Sequence, residues 1–137
     1  MAREFEACGY ERVGANDVAD VYVINSCSVT EHADKKCRNI IRKLHRRNPD
    51  AVIAVTGCYA QLKPAEIAKI DGVRIVLGNN YKGDLVKAIL ELEGDACQRV
   101  QSCSCEEINR FFAAYSSGDR SRSFLKVQDG CDYKCAY

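Results

Sequence analysis

The sequence predicts an α/β fold: three layers, with a mostly parallel sheet between flanking helices. Three observations carry this. Short apolar runs at Val21 to Asn25, Ala51 to Val55 and Val73 to Leu77 are each followed by a helical pattern, and strand-helix repetition builds parallel sheets with right-handed crossovers. The runs are nearly continuous rather than alternating, as in strands covered on both faces. The first two are followed closely by a cysteine, in Val21-Tyr-Val-Ile-Asn-Ser-Cys27 and Ala51-Val-Ile-Ala-Val-Thr-Gly-Cys58, at the sheet edge where open α/β folds bind ligands.

Residues 1 to 8 have the apolar stripe Ala2, Phe5 and Cys8 of a helix stopped by Gly9, with no capping residue before it. Tyr10 to Asp20 is a polar connection to the first strand. Thr30 suits the cap of the next helix, with Glu31 and Asp34 in its first turn and basic residues toward its end. Ala33, Cys37, Ile40, Ile41 and Leu44 form its apolar face, and Asn48-Pro49 ends it. After the second strand a short helix opens at Lys63-Pro64, with proline at the first helical position, and breaks at Asp71-Gly72. A helix over Tyr81 to Leu92 follows the third strand, turning Leu85, Ile89 and Leu92 inward. From Glu93 to Ser123 the pattern is that of a linker, apolar only at Ile108 to Ala114, and Ser123 to Gln128 reads as one more strand. The expected organisation is an α/β domain over 1–95, a linker over 96–122 and the start of a second domain over 123–137.

At 137 residues the chain has the length of one ordinary domain, and its 47% hydrophobic and 28% charged residues are the balance of a globular protein. No apolar run approaches the roughly 20 residues of a membrane helix, and Met1-Ala-Arg-Glu-Phe-Glu lacks a signal-peptide pattern. A net charge of +1 gives no global argument for nucleic acid. Nine cysteines, an odd count without a signal, point to a reducing, cytoplasmic setting with metal or redox chemistry rather than to a disulfide framework.

Cys27 and Cys58 can reach one metal centre if their strands are neighbours; the alternative is two small buried hydrophobes. Two thiols leave such a site incomplete, since zinc and cluster sites take at least three protein ligands. Cys131-Asp-Tyr-Lys-Cys135 fits either the first interval of a three-cysteine loop around a cubane cluster or two incidental thiols. Cys8 and Cys37 read as packing residues. Cys97, Cys103 and Cys105 match no metal loop, and His32 and His45 read as surface positions. Lys35, Lys36, Arg38, Arg42, Lys43, Arg46 and Arg47, opposed within the helix only by the first-turn acids Glu31 and Asp34, form either a ridge for RNA phosphates or a solvated face.

Four blocks together resemble the radical S-adenosylmethionine methylthiotransferases. They are Val23-Ile-Asn-Ser-Cys-Ser-Val-Thr-Glu-His-Ala-Asp-Lys-Lys36, Val55-Thr-Gly-Cys-Tyr-Ala-Gln61, Leu77-Gly-Asn-Asn80 and Phe124-Leu-Lys-Val-Gln-Asp-Gly-Cys-Asp-Tyr-Lys-Cys135. With Tyr115-Ser-Ser-Gly-Asp-Arg, they look most like the branch acting on threonylcarbamoyl-adenosine at position 37 of tRNA. The isopentenyl-adenosine and ribosomal-protein branches are less similar. The resemblance implies two 4Fe-4S clusters and S-adenosylmethionine. Cys27 and Cys58 match two of three ligands of an auxiliary cluster; Cys131 and Cys135 match the first two ligands of the radical cluster.

The third auxiliary ligand is expected in a glycine-cysteine turn after a strand absent before Met1, a place Cys8 does not fill. The strand at 123–128 would open the catalytic barrel. The implied chemistry is reductive cleavage of S-adenosylmethionine, hydrogen removal from C2 of the adenine, and transfer of sulfur from the auxiliary cluster, methylated by a second S-adenosylmethionine. It calls for tRNA and a flavodoxin-type electron donor. This chain supplies cluster ligands but no other catalytic residue, and is expected to be inactive alone. The competing class is a non-catalytic, cysteine-rich RNA-binding α/β module.

Overall fold

A computed structural model describes residues 1–28, 30–92, 97–112 and 125–126. The expected α/β sheet is present, all parallel, in the order β1-β2-β3-β4. Its strands are β1 (Val21–Ser26), β2 (Val52–Gly57), β3 (Val73–Leu77) and β4 (Arg99–Gln101). The helices are α1 (Ala2–Ala7), α2 (Glu31–Arg47), α3 (Cys58–Leu62), α4 (Pro64–Ala68) and α5 (Leu85–Leu92).

Local chemistry sets most boundaries. Thr30 caps α2 as its composition suggests, Oγ1 accepting from the Ala33 N–H at 3.2 Å. Pro64 starts α4, and Gly72 takes the left-handed φ of +86° between α4 and β3. The helix expected over Tyr81 to Leu92 divides: Asn79–Asp84 is 3₁₀, and α5 begins at Leu85. Two elements lay outside the sequence pattern. The helix α3 follows β2 without a loop, with Cys58 as its first residue. Within the stretch expected to be a linker, Arg99–Gln101 pairs with β3 as a fourth strand. Three residues are too few to show periodicity, so only pairing reveals it.

Two cores lie on opposite faces of the sheet. One joins Ile53, Val55 and Val76 to Cys37, Ile41, Tyr59 and Ile67 from α2, α3 and α4. The other packs Ala54, Ile75 and Leu77 on Leu85, Ala88 and Ile89 of α5, with Phe5 and Tyr10 at its margin. Each fully buried Ile or Leu contributes about 1.5–3 kcal/mol through its burial. Cys37 is buried as expected, and burial raises its thiol pKa, whereas Cys8, also read as a packing residue, is exposed. His45, expected at the surface, is half-buried, and a side chain at Gly72 would meet its ring. No helix of the described residues is long and apolar enough to cross a membrane.

Candidate functional site

The carboxyl edge of the sheet gathers the chemistry. Parallel pairing sets Ser26 opposite Gly57, so Cys27 and Cys58 follow at neighbouring positions, both exposed and both free thiols. Neighbouring strands stand about 4.8 Å apart. The alternative of two buried hydrophobes is therefore not what the fold builds.

Two residues set this geometry. Ser26, only 7% exposed, donates from Oγ to the Thr56 carbonyl at 2.6 Å and accepts from the Ala60 N–H at 3.4 Å, joining β1 to the first turn of α3. Gly57 has φ +97°, and a Cβ there would lie 2.2 Å from the Ser26 carbonyl oxygen. Only glycine lets the chain turn into α3 at this closeness. The glycine of the Thr-Gly-Cys block is thus a steric requirement for placing Cys58.

The rest of the edge is closed by amides. Gln61, buried on α3, accepts the Asn79 N–H at 2.9 Å through Oε1 and donates from Nε2 to the Cys103 carbonyl. Asn80 donates to the Glu107 carbonyl at 3.4 Å, and its Oδ1 accepts the N–H groups of Asn109 and Arg110 at 3.3 and 3.0 Å. Arg110 pairs with Asp84 at 2.6 Å, lowering that carboxyl's pKa. These contacts dock the segment after β4 on the 3₁₀ turn. In sequence, Gln61 and Asn80 stand out only as members of the blocks that carry the family resemblance.

Beneath the edge lies a polar network that the sequence reading left unassigned. Asp34, whose side chain is 2% exposed, accepts from Lys63 Nζ at 2.8 Å. That hydrogen bond, with Ser28 and the charges of Lys63 and Arg38 adding to it, holds the carboxyl below its ordinary pKa despite burial. Arg38 donates to the Tyr59 hydroxyl at 2.8 Å and to Glu66 Oε1 at 2.7 Å, and Tyr59 donates to the same Glu66 oxygen at 2.8 Å. Burial pushes the Tyr59 pKa up, with Arg38 opposing.

The basic residues of α2 separate into two groups. Arg38 is held as just described, and Arg47 donates to the carbonyls of Ala15 and Asp17 at 3.2 and 3.5 Å. Lys35, Lys36, Arg42, Lys43 and Arg46 are exposed and make no hydrogen bond or ion pair among the described residues. Lys35, Lys36 and Lys43, with His32, Asn39 and Ile40, line a shallow groove on the outer face of α2.

Thiols suit iron or zinc, but Cys27 and Cys58 are two donors where a cluster needs three. Among the described residues no group of three His, Cys, Asp or Glu side chains could hold a metal. Cys131 and Cys135 lie outside the described residues, as do most of the strand expected over 123–128 and the Tyr115 block.

Fold and edge define a class: a parallel α/β domain presenting paired thiols at the ends of adjacent strands. Residues 1–78, more than half of the chain, match the Uncharacterized protein family UPF0004, and the chain belongs to that family. It is 42% identical over 135 residues to "Threonylcarbamoyladenosine tRNA methylthiotransferase MtaB" of Bacillus subtilis (strain 168), covering 97% of this chain and 30% of that protein. The protein of the same name from Aquifex aeolicus (strain VF5) is 40% identical, over 100% of this chain and 34% of its own length. The "tRNA-2-methylthio-N(6)-dimethylallyladenosine synthase" of Akkermansia muciniphila is 30% identical, over 100% and 34%. The methylthiotransferase resemblance is borne out, with identity higher to the threonylcarbamoyl branch. The chain spans about a third of the length of these relatives. No solved structure matches it.

Proposed function

We propose that this chain is the cysteine-bearing α/β portion of a cytoplasmic tRNA methylthiotransferase acting at C2 of threonylcarbamoyl-adenosine at position 37. The observation that carries the reading is the placement of Cys27 and Cys58 at adjacent strand ends, in a chain 42% identical to a relative of that name. Cys27 and Cys58 are two ligands of an auxiliary 4Fe-4S cluster. Cys131 and Cys135 are ligands of the radical cluster that works with S-adenosylmethionine. When bound, the auxiliary cluster supplies sulfur, and the contribution of this chain is ligation and placement. Ser26 and Gly57 hold the thiols at one edge, while Gln61 and Asn80 fasten the outgoing chain beside it.

The five exposed basic groups of α2 contact tRNA phosphates, whereas Arg38 and Arg47 serve the fold. Measured across a salt series, replacing Lys35, Lys36 and Lys43 by alanine should flatten the salt dependence of tRNA binding by up to about three units of slope. An unchanged slope rejects this contact surface.

The reading as a whole is tested in the protein expressed from the complete coding sequence, with S-adenosylmethionine, a flavodoxin-type reductant and tRNA, followed by nucleoside mass spectrometry. Methylthiolation of threonylcarbamoyl-adenosine is the expected product. Turnover only on isopentenyl-adenosine tRNA or on a ribosomal protein would reassign the branch. The 137-residue chain alone is expected to give no product. Replacing both Cys27 and Cys58 by alanine should remove about four irons per complete protein; unchanged iron rejects them as ligands. A colourless protein that binds zinc and tRNA without turnover would favour the RNA-binding module, to which the cationic face of α2 also points.

A further inference from the structure

Among the polar contacts that join the segments bearing Cys27 and Cys58 outside the strand ladder, two matter here. One is the Ser26 hydroxyl beneath the edge. The other is the Asp34 to Lys63 pair: Asp34 lies in the first turn of α2, the helix that follows Cys27 in the chain, and Lys63 ends α3, which Cys58 begins.

The helix α3 is five residues long, with no side-chain cap at its start. A helix this short has little stability of its own, so its placement depends on what holds its ends. Gly57 holds the first end through backbone closeness; Lys63 holds the last through its side chain. On α2, Asp34 and Arg38 are four residues apart and so share a face, and both reach this unit: Asp34 through Lys63, Arg38 through Tyr59 and Glu66.

A nearly enclosed carboxylate is an expensive way to fill space. Buried ion pairs often stabilise no more than apolar residues of equal volume, whereas their directionality can fix one arrangement over others. An apolar pair would remove this directional contact between α2 and the end of α3, leaving Tyr59 and the Ser26 hydroxyl to hold the start of the helix.

We propose that Asp34 and Lys63 are positioning residues that clamp the Cys27 turn to the α3 unit, keeping the two thiols close enough to share one soft metal centre. The proposal rests on Cys27 and Cys58 as a ligand pair. Its test separates the two claims and does not depend on activity.

The reduced 137-residue chain is treated with phenylarsine oxide, whose As–O bonds are replaced by two As–S bonds to neighbouring thiols with release of water. Bridged peptides are then mapped by mass spectrometry. The unmodified sequence should yield a Cys27–Cys58 bridge. Lys63→Gln and Asp34→Asn should lower that yield about fivefold, while Lys63→Arg, which keeps the pair, should retain it. Because Lys63 is half exposed, Lys63→Gln should keep its helical circular dichroism even if Asp34→Asn does not fold.

A wild-type bridge yield in Lys63→Gln overturns the clamp but leaves the ligand pair standing. Absence of the bridge in the unmodified chain overturns both.

Discussion

The two faces of the sheet are held by different physics. The face under α5 is apolar, with Ala54, Ile75, Leu77, Leu85, Ala88 and Ile89 enclosed together. The face under α2, α3 and α4 has an apolar centre too, but its upper margin carries Asp34, Lys63, Arg38, Tyr59 and Glu66 in direct polar contact. That margin lies next to the paired thiols. Apolar packing tolerates volume-conserving change and is weakly directional, whereas hydrogen-bonded ion pairs specify one geometry. The polar contacts thus lie on the face beside the two thiols.

The sharpest break in this contrast is Gly57→Ala. A positive φ and a Cβ meeting backbone cost on the order of 4 kcal/mol together, measured by urea unfolding, and Cys58 would be displaced. A loss under about 1 kcal/mol would show that the edge has room to relax. Next is the apolar face: Ile75→Ala should cost about 3 kcal/mol through lost burial and the cavity left, without altering thiol geometry at the edge.

Lys63→Met removes the cation from the buried Asp34 carboxylate, so its effect should depend on pH. The folded pKa of Asp34 is lowered, chiefly by Lys63, so the stabilisation is complete above the ordinary carboxylate value and is lost as pH falls through the folded one. The stability gap between Lys63→Met and the unmodified chain should therefore be present at neutral pH and close in acid. A gap that is constant with pH would show that Lys63 acts by packing its stem. The smallest change is Thr30→Ala, about 1 kcal/mol for the lost cap of α2, visible as a lower thermal midpoint.

Much of the fold was legible because its signals are local. The apolar runs are β1, β2 and β3 to within two residues, Thr30 caps α2, and Pro64 opens α4. The cysteine pair was visible because both residues follow apolar runs. By contrast, Arg38 and Arg47 looked like Lys35 and Lys36 in a list of charges, and only folding gave the two arginines partners. Asp34 read only as a first-turn acid of α2, and its pairing with Lys63 became visible in the fold.

What the sequence by itself determined is most of the elements, the cap of α2, the glycine break before β3 and the thiols at strand ends, because each follows from periodicity or backbone sterics within a few residues. Tertiary structure alone decided that Ser26 faces Gly57, that Asp34 meets Lys63 across 29 residues, and that Gln61 reaches Cys103 across 42. Those contacts depend on how parallel strands register and helices pack, and that information is shared among distant segments rather than carried by any one of them.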